Sequence, residues 1–210
     1  MRCNSLEAQG QVTLWTIQEE SFYEKLLKEK VIYGKKDYVD SSLGFGRAYD
    51  WISTKMESQI GKKPYEDSTP LWAWYQYLNQ KRNRPDLRAV GHLAKGKKGV
   101  RIEFVKDMKD ILLSDFDLWL FVLNFWNISE GEKDDDEFDR MLQLAGVKFV
   151  DKEKYPPVLQ ERLIESWNKV LDLNYYNEYN SNPKDLKSIQ ATFWKLSLSE
   201  VRKVDYFVSR

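Results

Sequence analysis

Pro70–Asn124 reads PLWAWYQYLNQKRNRPDLRAVGHLAKGKKGVRIEFVKDMKDILLSDFDLWLFVLN, and its internal rhythm decides the fold class. Val100–Val105 sets Val100, Ile102 and Phe104 against Arg101, Glu103 and Val105, the period of two that gives a strand one core-facing side. Leu71–Leu78 starts after Pro70 and, if extended, puts Trp72, Trp74, Gln76 and Leu78 opposite Ala73, Tyr75 and Tyr77. Helix is the alternative there, but aromatics suit a pleated surface, so the expectation is strand. Lys81–Arg84 is a small basic turn and Gly91–Gly99 a connection. Ile111–Leu113 is a short buried run, after which Ser114 or Asp115 caps a helix carrying Leu118, Trp119, Val122 and Leu123.

Outward from this stretch the pattern continues. Residues 1–10 are polar and read as a tail. Val12–Gln18 alternates as a strand, and Glu19, Glu20 and Ser21 open a helix with the stripe Phe22, Leu26 and Leu27 and a stop at Gly34. Residues 35–46 form a loop. Ala48–Ile60 is helical, with Tyr49, Ile52 and Met56 three and four apart and Gly61 as its end. Toward the C-terminus, the acidic run Gly131–Asp139 reads as a solvated face or loop, and Phe138–Leu144 as a short helix ended by Gly146. Val158–Leu171 is amphipathic through Leu159, Leu163, Ile164 and Trp167, and Asn174–Lys184 is a loop. Ile189–Leu196 and Val201–Val208 are strands joined by the bend SLSE. The expected architecture is one α+β domain over residues 11–210, with a mostly antiparallel or mixed sheet and several packed helices.

Composition narrows the chemistry. Lys plus Arg equals Asp plus Glu at 33 each, so no global charge favours nucleic acid or an anionic membrane. One Cys and one His exclude an intrachain disulfide and leave little for zinc. No apolar run reaches the roughly 18 residues that read as a membrane span, and MRCNSLEAQGQ lacks the apolar core of a signal peptide. A cytoplasmic protein is the expectation. The aromatic load, 8 Trp, 12 Tyr and 10 Phe, builds either a ring-rich core or a ring-lined cleft for a nucleotide, sugar or peptide.

Several polar groups can carry chemistry. His92 can act as a base near neutrality or simply pack. Asp86 and Arg88, two apart, either hold a phosphate and a ribose hydroxyl or close the turn after Pro85 on each other. Asp115 and Asp117 suit acid–base or magnesium chemistry and equally suit a helix start. Arg47 beside the second helix can reach a phosphate, and Glu103 can face a cleft or solvent. Thr16 and Gln190 are hydrogen-bonding groups in strands, either in a pocket or plainly structural. Cys3 has nothing nearby in sequence to stabilise a thiolate.

The motifs LWTIQ (Leu14–Gln18), RAYDW (Arg47–Trp51), PLWAWYQ (Pro70–Gln76), PDLR (Pro85–Arg88), LLSDFDLW (Leu112–Trp119) and IQATFWKL (Ile189–Leu196) occur in order. Over residues 12–208 they resemble a bacterial family, domain-of-unknown-function family 3841. More distantly, LWTIQ and its following helix are similar to the opening of ADP-ribosyltransferase folds. IQATFWKLSLSEVRKVDYF is similar to their closing strand–bend–strand. That resemblance implies NAD as cofactor, with Thr16 where such enzymes grip NAD through His or Arg. It puts Gln190 where their catalytic glutamate begins a strand, and both positions depart from that pattern. Trp72, Trp74 and Tyr75 would stack on nicotinamide or a base. Three readings follow. The first is a divergent ADP-ribosyltransferase-like domain binding NAD or a related nucleotide, with transfer to a macromolecular target. The second is a catalytically inert interaction domain with a regulatory protein partner, in bacterial regulation or phage–host conflict. The third is a small hydrolase or transferase using Asp86, Arg88, Asp115 and Asp117. The first requires Thr16, Gln190, an arginine and the central aromatics to meet in one cleft.

Overall fold

The two runs with the clearest alternation lie side by side. β1 (Gln11–Glu19) and β4 (Lys98–Asp107) pair antiparallel from Gln11 opposite Asp107 to Glu19 opposite Gly99. The computed structural model describes residues 10–36, 44–78 and 84–210. Cys3, most of the 35–46 loop and the basic turn up to residue 83 fall outside them. Around β1 and β4 the sheet has six strands in the order β5 (Leu112–Asp115), β6 (Ile189–Phe193), β3 (Leu71–Gln76), β1, β4 and β8 (Val201–Val208), every pairing antiparallel. A separate two-stranded ribbon joins β2 (Val31–Tyr33) to β7 (Lys195–Ser197).

Both faces of the sheet are covered. One face supplies Leu14, Ala73, Ile102, Phe104 and Ala191 to a core shared with Leu26 of α1 (Glu20–Glu29) and with Ile32. The other supplies Trp72 and Leu112 to a second core built on α2 (Gly46–Ile60), α3 (Phe116–Leu123), α4 (Glu132–Leu144) and α5 (Pro157–Ser166). The expected α+β domain, with an antiparallel sheet and packed helices, is what the chain forms.

Several boundaries moved for identifiable reasons. α1 ends at Lys30, whose φ of 66° turns the chain left-handed, and not at Gly34. Gly34 serves a close approach instead. A Cβ there would lie 2.0 Å from the Thr69 carbonyl oxygen, so only glycine fits. The run 189–196 is not one strand, because it breaks at Trp194 and its end leaves the sheet to pair with β2. The SLSE bend is a single helical turn closed by a capping box between Ser197 and Glu200. The acidic run 132–139 is helical. Glu132, Asp134 and Asp135 sit in the first turn of α4, where carboxylates oppose the helix dipole. The amphipathic stretch to Leu171 is α5 followed by a tighter turn over Trp167–Leu171. In β3 the register shifts between Trp74 and Gln76, so Gln76 leaves the side that Trp72 and Trp74 share.

One buried ion pair fastens the long Asn174–Lys184 loop to this frame. Asp115 caps α3 through the backbone N–H groups of Asp117 and Leu118. Its other oxygen accepts from the Lys187 ammonium, which also donates to Ser181 Oγ at 2.7 Å. Lys187 and Asp115 are 0% and 1% exposed. Beside them, buried Gln76 donates to the carbonyls of Lys184 and Lys187. Lys187→Met removes one partner and strands a buried carboxylate, so a loss of about 3 kcal/mol is expected in the urea-unfolding free energy. A loss within experimental error would show that the pair holds nothing.

Candidate binding cleft

Register assigns each candidate to a side of the sheet, because residues opposite one another across strands project the same way. Glu103 is opposite Trp15, Trp15 opposite Trp74, Trp74 opposite Gln190, and Gln190 opposite Ser114. This row runs across five strands on the side of the helical layer. Within it the Trp15 indole N–H donates to Glu103 at 2.9 Å, and Trp74 packs edge-on against Tyr77 and Phe116. Thr16, next along β1, therefore projects to the α1 side, where it is buried opposite Ile102 and accepts from the Gln18 amide. The sheet lies between Thr16 and Gln190, and the single cleft expected from them does not form.

The other candidates are dispersed. Arg88 forks onto Asp86, with Nε at 3.0 Å from both carboxylate oxygens and Nη2 at 2.7 Å from Oδ2, while its backbone N–H also donates to Asp86. This is the turn-closing arrangement. His92 Nε2 meets the Asp86 carbonyl at 2.8 Å. Arg101 pins the same turn through the Pro85 carbonyl and pairs with Asp205, a contact that lowers the Asp205 carboxyl. Arg47 pairs with Glu153 and covers the Phe125 ring. Asp115 is the buried helix cap already described. Burial, then the neighbouring Asp115 carboxylate, raises the Asp117 carboxyl, which accepts from Asn182. Tyr75 is half-buried against the α1-side core.

Of the expected residues, Arg47 lines a depression of about 220 Å³ with Phe125 and Glu153, and Trp72 lines a separate cleft. Two adjoining clefts, of about 370 and 300 Å³, share Tyr49 and Thr69 where α2 approaches the ends of β1 and β3. Trp72, Phe22 and Gln18 line the inner one. The outer one carries Lys36 and Lys63, the carboxylates Asp50 and Glu57, and the hydroxyls of Ser53 and Thr54. The Tyr49 ring stands edge-on to Trp72, which is tilted against Trp119 with centroids 5.0 Å apart. Burial pushes the Tyr49 phenol above its ordinary value, with the neighbouring Trp72 indole N–H acting in the opposite sense. That N–H is itself buried and makes no hydrogen bond of normal geometry. Such a donor normally finds a partner.

The arrangement defines a class: an antiparallel sheet covered on both sides, with its aromatic and polar lining at the seam between sheet and helices. The chain belongs to the family described as Domain of unknown function (DUF3841), whose model matches residues 13–202. Neither a curated protein nor a solved structure matches it. Among the described residues no cluster of His, Cys, Asp and Glu is placed to hold a metal, and no helix is long and apolar enough to cross a membrane.

Sequence reasoning passed over Tyr49 as a site residue, although the RAYDW motif contains it, and passed over Thr69, Lys36, Lys63 and Gln18. No sequence signal marked them, because Gly34 reads there as a helix stop and its close approach to the Thr69 carbonyl is visible only in the fold. The Asp86–Arg88 pair has a direct check. The Arg88 side chain, then its backbone N–H, holds the Asp86 carboxyl at about 2. A lowered carboxyl stabilises the fold above its ordinary value and loses that contribution as pH falls through about 2. In a carboxyl-carbon NMR titration, Arg88→Ala is expected to return the Asp86 midpoint toward 3.8. A native midpoint already there would overturn the pairing.

Proposed function

We propose that this chain is an ADP-ribosyltransferase-like domain that binds NAD or a related nucleotide in the α2 cleft and does not carry out transfer. The observation that carries this reading is the ring-lined inner cleft with the unpartnered Trp72 indole N–H, continuous through Tyr49 and Thr69 with a rim bearing Lys36 and Lys63. An aromatic floor accepts a flat base. The two ammonium groups suit a diphosphate, and Asp50 or Glu57 suits ribose hydroxyls. Supporting the class, β1 leads directly into α1, and β6 leads through the capped bend into β8. These are the segments on which the resemblance rests. Against transfer stands Gln190. A neutral amide cannot offset the positive charge of a ribosyl centre, and Gln190 shares its row with Trp74 and Ser114, on the opposite side of the sheet from Thr16.

Calorimetric titration with NAD, ADP-ribose and mononucleotides tests the proposal. At least one nucleotide is expected to bind, and Trp72→Leu should weaken it by about tenfold, the cost of a lost stacking surface and donor. Gln190→Ala, Thr16→Val and Arg88→Ala should leave it unchanged, and labelled NAD should modify no protein or nucleic acid. Silence across the titrations overturns the nucleotide reading. Label transfer abolished by Gln190→Ala overturns the inert one.

A further inference from the structure

A second lined cleft, separate from the α2 cleft, lies where α3 gives way to α4. Phe125 has φ 54°, a left-handed conformation that bulky residues avoid. It reverses the chain so that Phe125 turns into the helical core while Trp126 is 36% exposed. Trp126 and Phe149, the latter 46% exposed, line a cleft of about 410 Å³ with Phe121, Asn127, Asp135 and Asp139. The Trp126 and Phe149 rings are tilted 34° with centroids 6.5 Å apart, and Phe121 stands edge-on to Trp126.

Three observations give this cleft a chemistry. First, its rings already attract a cation, since the Lys152 ammonium lies 5.7 and 5.8 Å from the Trp126 and Phe149 centroids. Lys152 reaches them from the neighbouring depression beside Arg47 and does not line this cleft. Second, the wall is acidic. Asp135 accepts from the hydroxyls of Ser129 and Tyr179, and among the described residues neither Asp135 nor Asp139 is in an ion pair. Glu132–Arg140 carries six carboxylates against two cations, and Arg162 pairs with Asp134 and Glu137 while its guanidinium lies over the ring of Phe138, which also lines the cleft. Third, Asn127 is 8% exposed and its amide N–H₂ has no partner. Aromatic faces, unpaired carboxylates and an orphan donor together match a peptide that brings a cation and a carbonyl.

We propose that this cleft docks a basic segment of a partner protein. A Lys or Arg side chain lies across Trp126 and Phe149 with its charge against Asp135 and Asp139, and a flanking peptide carbonyl accepts from Asn127. The test is calorimetric titration of the full chain with acetyl-(Gly-Lys-Gly-Arg)₃-amide, with a control peptide carrying Gln in place of Lys and Arg, and with tetramethylammonium chloride. The basic peptide is expected to bind, more weakly as salt rises. Asp139→Asn, at an exposed position, should weaken it by about tenfold through loss of one charge-assisted contact. Trp126→Leu should abolish the binding. Asp139→Asn keeps the test open if the Trp126 variant fails to fold. Nucleotide titrations should be unaffected by either variant. No binding of the basic peptide, equal binding of the Gln control, or affinity unchanged in Asp139→Asn overturns the proposal. Tetramethylammonium binding as tightly as the peptide also overturns it, in favour of a small-cation site.

Discussion

Successive residues of a strand project to opposite sides of a sheet, and here that parity partitions the molecule. The Glu103–Trp15–Trp74–Gln190–Ser114 row faces the helical layer, while Thr16, Ile102, Ala73 and Ala191 face α1. Because both sides are covered, the central strands bury polar groups instead of presenting them. Thr16 is satisfied by Gln18 and the Trp15 indole by Glu103. Open, chemically varied space is therefore displaced to the margins, where helices meet strand ends or one another.

Parity also explains what was legible in the sequence. β1 and β4 each have one side that must be apolar, so their alternation survives in the residues, whereas in β8 a register shift breaks the alternation and Tyr206 and Val208 stay exposed. The Asp115 cap and the Gly61 end of α2 were readable for a different reason, since each is set by residues within one helical turn. The β2–β7 ribbon was not legible, because three residues on each side carry too little pattern and the pairing depends on Gly34 fitting beneath Thr69. The β3 bulge likewise depends on what Gln76 finds in the loop at Lys184 and Lys187. Among the site residues, Trp72 was visible as part of an aromatic strand. Lys36, Lys63 and Thr69 come from connections, where nothing periodic marks them. For Asp86 and Arg88 the spacing of two already allowed mutual closure of the turn after Pro85, and that alternative is the one the structure takes.

Unsatisfied polar atoms occur in the strands as well as in the connections, with Trp72 on β3, Ser114 on β5, Asn127 between α3 and α4 and Asn180 in the loop before β6. Four buried side-chain atoms among the described residues have no hydrogen-bond partner, and two of them, Trp72 Nε1 and Asn127 Nδ2, belong to residues lining separate clefts. An unmade buried hydrogen bond costs on the order of 1–3 kcal/mol, a cost the fold carries at each of these atoms. The two clefts differ in kind. The α2 cleft mixes ammonium groups with carboxylates around Tyr49, whereas the Trp126 cleft is bounded by carboxylates and rings.

The position of β6 constrains the order of assembly. It lies between β3 and β5, yet it is synthesised after both, from residues 189–193. A chain emerging from the ribosome therefore displays β3 with a vacant hydrogen-bonding edge, and β5 with no strand beside it, through the synthesis of α3, α4, α5 and the long loop. Such edges pair readily with foreign strands, and contacts this distant in sequence form slowly. The nascent protein thus passes through a prolonged adhesive stage that ends with β6, so its yield in a cell is governed by protection during translation as well as by the stability of the finished fold.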